Sequence, residues 1–277
     1  MKKGLIIILS LLIIIGAMVQ GCKKSSSNTT EPTPIPATNT PTPIVWNSTK
    51  LIDSMDNIAG GGAGADNAND IPAAQGGPGY WYTYDDIKDV LKPPDGDGNT
   101  DNASNVWPMS ANRWTIVLGQ PTPEPTFVMS EPGHNGTGYC ARMTGYVTTA
   151  FKYGFAGMGV NFLGVNADQS KKPVDISGMT GVRFYQKGDG KEYRVKLPSQ
   201  NPLFVRGESD DHYGKKFTSA VSWTQIDIPL NTFTQEGWGS NVPLADALKY
   251  IDSIQIQTVG QPLTSFDLSV DNVEIYK

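Results

Sequence analysis

The stretch TGVRFYQKGDGKEYRVKLP, Thr180–Pro198, decides the fold class, because apolar and polar residues alternate along both of its halves. Strict alternation is typical of β-strands that bury one face against a core. The dipeptide Asp189-Gly190 lies between the halves, and its glycine can adopt the positive φ that a tight hairpin turn requires. The sequence therefore predicts two antiparallel strands joined as a β-hairpin.

Alternation also assigns the side chains of these two strands to opposite faces. The buried face would carry Val182, Phe184, Gln186, Tyr193, Val195 and Leu197. The outward face would carry Arg183, Tyr185, Arg194 and Lys196. This outward set is either an ordinary solvated surface or a surface that holds a ligand.

The rest of the folded region repeats the pattern in many short runs that are separated by Gly, Pro, Asn and Asp. Short, regularly spaced strands with turn residues between them predict an all-β sandwich or barrel. Only one segment, LADALKYI (Leu244–Ile251), has apolar residues at the spacing of a helix. One short helix is therefore expected.

The N-terminal 45 residues are predicted to lie outside the folded domain. Residues 1–21 have the basic start and the apolar run of a signal peptide, and Cys22 follows a small residue as in a bacterial lipobox. Residues 22–45 are rich in Pro, Thr and Ser, as in an extended tether, and 46–277 would form one β-sandwich. We expect an exported protein that is lipid-anchored at the bacterial cell envelope, at the outer membrane or cell surface. The alternatives are an uncleaved signal anchor and an ordinary signal peptide that is cut elsewhere.

Composition and motifs argue against several classes of function. The formal net charge is −5, so we expect no nucleic-acid partner. Besides Cys22 the chain has a single cysteine, Cys140, which rules out a disulfide framework. The two histidines and the lack of GxSxG, CxxC and HExxH motifs offer little for a histidine triad or a zinc site. We therefore expect that the protein is not an enzyme.

A series of phrases along the chain resembles the successive signatures of a galactose-binding-like β-sandwich, most similar to the family 11 carbohydrate-binding modules. The phrases are LIDSMDN (51–57), GYWYTYDD (79–86), GMGVNF (157–162), KKPVDISGMTGVRFYQKGDG (171–190), DDHYGKKFT (210–218), WTQIDIPLNTFTQEGWG (223–239) and FDLSVDNVEIY (266–276). The resemblance implies a two-sheet antiparallel jelly roll that binds β-glucan-type chains in a groove, with structural calcium in many members. The complex I intermediate-associated protein family has the same fold, so the fold alone does not fix the ligand.

Aromatic and polar residues within these phrases are the candidates for ligand binding. In GYWYTYDD, strand alternation places Tyr82 and Tyr84 on one face and Trp81 on the other, where it would join the core. Flat aromatic rings suit the apolar faces of sugars, and charged or amide groups suit their hydroxyls. We expect stacking from Tyr82, Tyr84, Tyr185, Tyr213 and Trp238, and hydroxyl binding by Arg183, Arg194, Asp211 and His212. The alternative for each residue is ordinary packing or a solvated loop.

Two sets of acidic residues could hold structural calcium. Asp95, Asp97, Asn99 and Asp101 alternate in a loop, as oxygen ligands of a hard cation do, although the loop lacks the glycine and the distal glutamate of a complete EF-hand. The resemblance implies a second set, Asp53 or Asp56 with Asp271, near the pairing of the first and last strands. A bare acidic loop is the alternative for the first set.

The sequence thus predicts non-catalytic binding of a β-glucan-type polysaccharide by a monomeric, lipid-anchored surface protein. Two other functions stay open at this point. One is a surface glycoside hydrolase that acts on the same glycans. The other is a structural or adhesion lipoprotein that recognises a protein, which would present a large apolar patch.

Overall fold

The computed structural model describes residues 42–56, 67–90, 103–107, 129–204 and 211–277. The predicted signal peptide, the lipidation site Cys22 and nearly all of the predicted tether lie outside these residues. Among the described residues, no helix is long and apolar enough to cross a membrane.

The described chain consists mainly of short β-strands. In chain order they are β1 (Ile44–Val45), β2 (Lys50–Asp53), β3 (Trp81–Asp85), β4 (Asn105–Trp107), β5 (Ala141–Val147), β6 (Ala156–Asn161), β7 (Val174–Asp175), β8 (Gly181–Gly188), β9 (Glu192–Leu197), β10 (Tyr213–Thr218), β11 (Thr224–Pro229), β12 (Ser253–Thr258) and β13 (Leu263–Tyr276). The helices are α1 (Ile87–Val90) and α2 (Leu244–Ala247), with 3-10 turns at Ala73–Gln75, Leu230–Thr232 and Leu248–Tyr250.

Two antiparallel sheets form a jelly-roll sandwich, which confirms the predicted fold class. The five-stranded sheet has the order β10-β9-β12-β6-β3. The six-stranded sheet has the order β11-β8-β13-β5-β4, and β2 also pairs with the long strand β13. A short parallel pair, β1 with β7, lies apart from both. The apolar faces of the two sheets together form one large hydrophobic core.

The predicted hairpin at Asp189-Gly190 is wrong. Strand β8 belongs to the six-stranded sheet and β9 to the five-stranded sheet, so the chain crosses from one sheet to the other at this turn. Gly190 has the expected positive φ of 79°. The carboxylate of Asp189 accepts hydrogen bonds from the backbone N–H of Lys191 and of Asp267, which fixes the crossing to β13.

The predicted alternation within β8 and β9 is confirmed. All six residues assigned to the inward face are buried: Val182, Phe184, Gln186, Tyr193, Val195 and Leu197. Gln186 is the polar member, and its side-chain oxygen accepts a hydrogen bond from the backbone N–H of Ala220. The inward faces of β8 and β9 thus contribute to the same core from opposite sheets.

The predicted helix is present at LADALKYI, as one α-helical turn, α2, followed by the 3-10 turn Leu248–Tyr250. A second single turn, α1, directly follows β3 and was not predicted. Its segment is too short to show a helical repeat in the sequence. The buried carboxylate of Asp86 precedes it and becomes important for the site described below.

Candidate functional site

The outer face of the five-stranded sheet carries two rows of side chains that cross all five strands. Antiparallel pairing aligns one row as Tyr82, Gly159, Gln255, Lys196 and Gly214. The adjacent row is Tyr84, Gly157, Gln257, Arg194 and Lys216. We call these two rows the platform. The platform combines tyrosine rings, side-chain amides and cations on one surface.

The two tyrosine rings of the platform lie across glycines of the neighbouring strand β6. A Cβ atom on Gly159 would lie 2.9 Å from Cζ of Tyr82, and one on Gly157 would lie 2.5 Å from Cζ of Tyr84. Any larger residue at these glycines would therefore occupy the space of the rings. The ring centroids of Tyr82 and Tyr84 are 6.2 Å apart. The two rings form a continuous aromatic surface along the edge strand β3.

The hydroxyl groups of both tyrosines reach the next strand, β12. Nε2 of Gln255 donates to the Tyr82 hydroxyl at 3.0 Å, and the Tyr84 hydroxyl donates to Oε1 of Gln257 at 3.5 Å. Burial raises the pKa of both phenols, so both stay protonated at neutral pH. Each ring is attached to β3 through its Cβ and is hydrogen-bonded to β12 through its hydroxyl. This restricts the side chain before binding, so less side-chain entropy is lost when a ligand stacks on the ring.

Two cationic side chains, Lys171 and Arg194, lie on the same face as the tyrosines, and each forms an ion pair with a carboxylate. Nζ of Lys171 lies 5.7 Å from the Tyr82 ring centroid and 3.3 Å from Oδ1 of the buried Asp252. Arg194, which the sequence placed on the outward face, is on that face but is covered by neighbouring loops. Its guanidinium donates to the carbonyl oxygens of His212 and Thr234 and pairs with Glu236 at 2.9 Å.

Trp238 is presented beside Arg194 by a loop that Asp211 holds. Trp238 is 58% exposed, and its Nε1 donates to Oε2 of Glu236 at 3.2 Å. The carboxylate of Asp211 accepts the backbone N–H groups of Glu236, Gly237 and Trp238 at 2.9, 2.7 and 3.2 Å. Asp211 is 1% exposed, so its predicted contact with ligand hydroxyls is wrong. Its oxygens instead position the tryptophan loop.

Two other predicted ligand residues pack at the end of the sheet near α2. Tyr213 is half-buried, its hydroxyl donates to the carbonyl of Val242 at 2.7 Å, and its ring packs against the small cluster of Phe204, Val242 and Ala247. The ring of His212 lies 5.1 Å from that of Phe204, and its Nδ1 accepts the N–H of Ser199. The structure does not bring these two side chains into the platform.

Arg183 and Tyr185 lie on the opposite side of the molecule from the platform. Both are on the outer face of the six-stranded sheet, because β8 belongs to that sheet. Arg183 pairs with Asp227 and Glu274, and its guanidinium lies 4.4 Å from the Tyr276 ring. Tyr185 stacks on His134 at 4.1 Å. Their predicted membership of the same site as Tyr82 and Tyr84 is wrong.

The acidic set Asp53, Asp56 and Asp271 does not fit a calcium site. Asp53 accepts the N–H groups of Trp81 and Met55, and Asp271 accepts those of His134 and Asn272. These hydrogen bonds already take up part of the acceptor capacity of the two carboxylates. The described residues contain no group of three or more acidic, histidine or cysteine side chains that could hold a metal ion. The other predicted set, Asp95, Asp97, Asn99 and Asp101, lies outside the described residues and stays a prediction.

Sequence reasoning identified the tyrosines of the platform and missed their supports. Trp81 is buried as predicted, which leaves Tyr82 and Tyr84 on the outer face. The supports are Gly157, Gly159, Gln255 and Gln257. A signal for them was present, because GMGV alternates glycine with apolar residues and SIQIQT alternates isoleucine with glutamine. Alternating glycines in a strand indicate that something approaches the backbone closely.

Comparison with solved structures gives the following similarities. A family 11 carbohydrate-binding module from Clostridium thermocellum, in complex with a β-1,3-1,4-mixed-linked tetrasaccharide, is 16% identical with a TM-score of 0.46. The match covers 83% of this chain and 96% of that one. A family 30 module of a cellulosomal cellulase of the same organism is 11% identical with a TM-score of 0.35. That match covers 54% of this chain and 86% of the module.

Comparison of the sequence with family models and with curated proteins gives the following. No curated protein matches this chain. Residues 127–270, slightly more than half of the chain, match the family model described as Complex I intermediate-associated protein 30 (CIA30), and the chain therefore belongs to the complex I intermediate-associated protein 30 family.

Proposed function

We propose that this protein binds a polysaccharide of the β-glucan type on the platform and does not cleave it. The observation that carries the proposal is the placement of Tyr82 and Tyr84 across Gly159 and Gly157, with side-chain amides at the tyrosine hydroxyls. The platform is therefore aromatic along β3, where the two rings are inclined at 43° to each other, and polar along β12. This combination suits the two kinds of surface that a sugar chain presents.

The chemistry of a β-linked glucan matches this arrangement. Its pyranose rings have apolar C–H faces that stack on aromatic rings, and equatorial hydroxyls at the rim that exchange hydrogen bonds with amides and cations. Tyr82 and Tyr84 would bind the faces of successive sugars. Gln255, Gln257 and Lys196 lie on the adjoining strands β12 and β9 and would exchange hydrogen bonds with the hydroxyls at the rim. Trp238, which is more than half exposed, would contribute stacking at the far edge of the platform.

The acids at the edge of the platform support binding without hydrolysis. A glycosidase needs two carboxyl groups that flank the scissile bond, one of which gives up a proton. Among the described residues, Glu236 and Glu192 lie at this edge, and each forms an ion pair, with Arg194 at 2.9 Å and with Lys216 at 3.3 Å. Both carboxylates are thus held by cations at the edge of the platform and do not face each other across it.

The binding test is affinity electrophoresis of the purified full-length chain in native gels that contain β-glucans, xylan, mannan or pectin. Mixed-linkage β-1,3-1,4-glucan is the first probe. We expect it to retard the wild-type chain and to retard Tyr82→Ala much less. Tyr146→Ala is the matched control, because Tyr146 is 36% exposed on the six-stranded sheet.

Three outcomes would contradict the proposal. Equal retardation of Tyr82→Ala and wild type would remove the platform as the site. Failure of every polysaccharide to retard a folded chain would favour recognition of a protein. Steady release of reducing sugar from the glucan by the wild-type chain would instead show a surface glycoside hydrolase.

We propose further that Cys22 carries a lipid that anchors the protein at the bacterial envelope, with residues 22–45 as a tether. The support is the sequence alone, since a small residue and a cysteine follow the apolar run. Mass spectrometry of the N-terminal peptide of the mature chain tests this. We expect Cys22 to be the first residue and to carry the added mass of a lipid, whereas an unmodified Cys22 would contradict lipidation.

A further inference from the structure

An aromatic strip continues the platform beyond the end of the five-stranded sheet. The loop between β5 and β6 carries Phe151, Tyr153 and Phe155. The ring centroid of Phe155 lies 6.1 Å from that of Tyr84 and 6.4 Å from that of Phe151. The Phe151 centroid lies 5.7 Å from that of Tyr153. Five rings, from Tyr82 to Tyr153, therefore contact one another in sequence, and we call the last three the loop strip.

Phe155 joins the loop strip to the platform because of its position in the register. It directly precedes β6, and residues 155, 157 and 159 alternate with the buried residues Ala156 and Met158. Phe155 therefore points to the same outer face as the glycines on which the tyrosine rings lie. The strip is thus continuous with the platform and does not belong to the sandwich core.

A buried carboxylate, Asp86, ties the loop to the end of β3. Its Oδ2 accepts the backbone N–H of Phe155 at 3.2 Å and the hydroxyl of Ser104 at 2.7 Å. The same Ser104 hydroxyl accepts the N–H of Thr148 at 3.0 Å, at the start of the loop. The side-chain amide of Gln261 also donates to the carbonyl of Lys152. The loop strip is therefore fixed relative to Tyr84 before any ligand binds.

The outermost ring of the loop strip faces solvent. Tyr153 is 64% exposed, while Phe151 and Phe155 are half-buried. The ammonium group of Lys152 lies 5.0 Å from the Tyr153 ring centroid, a cation–π contact that leaves most of the ring accessible. The Tyr153 ring stands at 75° to that of Phe151, and this exposed ring is suited to stack on one more unit of the same ligand.

We propose that the loop strip provides further subsites for the same polysaccharide chain, which would run along β3 and continue past the sheet end onto the loop. This inference rests on the proposed function and names its ligand more closely, as a long linear β-linked glucan and not a short oligosaccharide. Phenylalanine rings offer only stacking, so the loop strip selects sugars with apolar faces free of axial hydroxyls.

The test compares mixed-linkage β-1,3-1,4-glucan oligosaccharides of about four and about eight sugar units by calorimetric titration of the full-length chain. We expect the longer one to bind about fivefold to tenfold more tightly, as one or two further aromatic contacts would give. Tyr153→Ala should remove most of this difference and leave the affinity for the shorter oligosaccharide unchanged. Tyr146→Ala, the matched control on the opposite sheet, should keep the difference.

The outcomes separate this inference from the proposed function. Equal affinity for both lengths, or a length difference that Tyr153→Ala retains, would show that the loop strip does not bind the polysaccharide. Neither result would contradict binding on the platform. Failure of both oligosaccharides and of the parent glucan to bind would overturn the proposed function and this inference with it. Because Tyr153 is largely exposed, its replacement is not expected to unfold the chain.

Discussion

The ring of Tyr82 lies across Gly159, so close that a methyl group on this glycine would come within 2.9 Å of the ring Cζ. The Tyr82 ring on β3 thus fills the space that a side chain at position 159 on β6 would take. The same relation holds in the adjacent row, between Tyr84 and Gly157. Glycine weakens a strand, because it has no side chain to pack and loses more entropy on ordering. Here that loss is accompanied by two aromatic rings that lie across the strand.

Replacement of Gly159 by alanine should weaken glucan binding by displacing the Tyr82 ring. We expect roughly a fivefold loss of affinity, comparable with the loss of one aromatic contact. The new methyl group would also lie 2.9 Å from the carbonyl of Ile254, so some loss of stability should accompany it. Gly178→Ala is the control, because no atom lies within 4 Å of a Cβ at that position.

A double-mutant cycle separates ring displacement from general destabilisation. If Gly159→Ala acts through Tyr82, it should have little further effect on binding in a Tyr82→Ala background. Additive losses of affinity in the double variant would mean that the glycine acts by another route. Titration calorimetry of the three variants against the same glucan measures the coupling.

Asp211 should prove to be a positioning residue that acts through the tryptophan loop. Asp211→Asn keeps the size of the side chain but removes its charge and one acceptor oxygen, while three backbone N–H groups depend on it. Since hydrogen bonds to charged groups contribute about 1.5–3 kcal/mol each, we expect the free energy of unfolding to fall by about 3 kcal/mol. Denaturant titration measures the loss.

The effect of Asp211 on Trp238 gives a second readout. Trp238 emission, obtained as the difference from Trp238→Phe, should become more accessible to acrylamide in Asp211→Asn. Asp227→Asn is the control, because Asp227 is exposed and pairs with Arg183 on the other sheet. Unchanged stability and unchanged quenching in Asp211→Asn would show that this carboxylate does not hold the tryptophan loop.

The acidic loop Asp95–Asp101 remains the candidate for structural calcium. We expect calcium to raise the melting temperature of the full-length chain, and Asp97→Asn to abolish the increase, because a hard cation needs the charged oxygens of the loop. Asp56→Asn should leave the increase unchanged, since Asp56 lies outside the acidic loop. An identical melting temperature with calcium and with chelator would identify a bare acidic loop.

Local patterns predicted which residues are buried but not which strands pair. The alternation in β8 and β9 assigned their inward side chains correctly, because a strand has the same two faces in either sheet. The turn at Asp189-Gly190 was assigned to a hairpin, since a glycine with positive φ serves a hairpin and a crossing between sheets equally well. That choice depends on contacts with β12 and β13, which are distant in the sequence.

The same limit explains the errors in the predicted site. Tyr185 and Tyr84 both occupy outward positions of alternating strands, and only the sheet order places them on opposite sides of the molecule. Asp211 has a carboxylate that could bind sugar hydroxyls, yet its partners are backbone N–H groups. Because every residue except proline has such a group, the sequence could not identify these partners. By contrast, Gly157 and Gly159 could have been recognised, because two glycines on one face of a strand require a structural reason.

Asp53 should make the protein less stable as the pH rises from about 5 to 8. Burial raises the pKa of this carboxyl from 3.8 to about 7, although the N–H groups of Trp81 and Met55 favour its ionised form. Between these two values the folded state binds more protons than the unfolded state, so the free energy of unfolding falls with increasing pH. The stabilisation is complete below about pH 4 and is lost as the pH passes through 7. A difference of about three pH units corresponds to at most about 4 kcal/mol.

Asp53→Asn should therefore flatten the pH dependence of stability, measured by urea titration at intervals between pH 5 and pH 8. Part of the slope should persist, because burial also raises the pKa of Asp86 and Asp271. Asp168→Asn is the control: Ser170 lowers the pKa of Asp168, so this carboxyl titrates below the measured range. A slope that is unchanged in Asp53→Asn would show that the carboxyl is ionised throughout, held by its two N–H donors. In that case removal of its charge should cost the same stability at every pH, because the hydrogen bond from Trp81 would then join an indole to a carboxylate across the whole range.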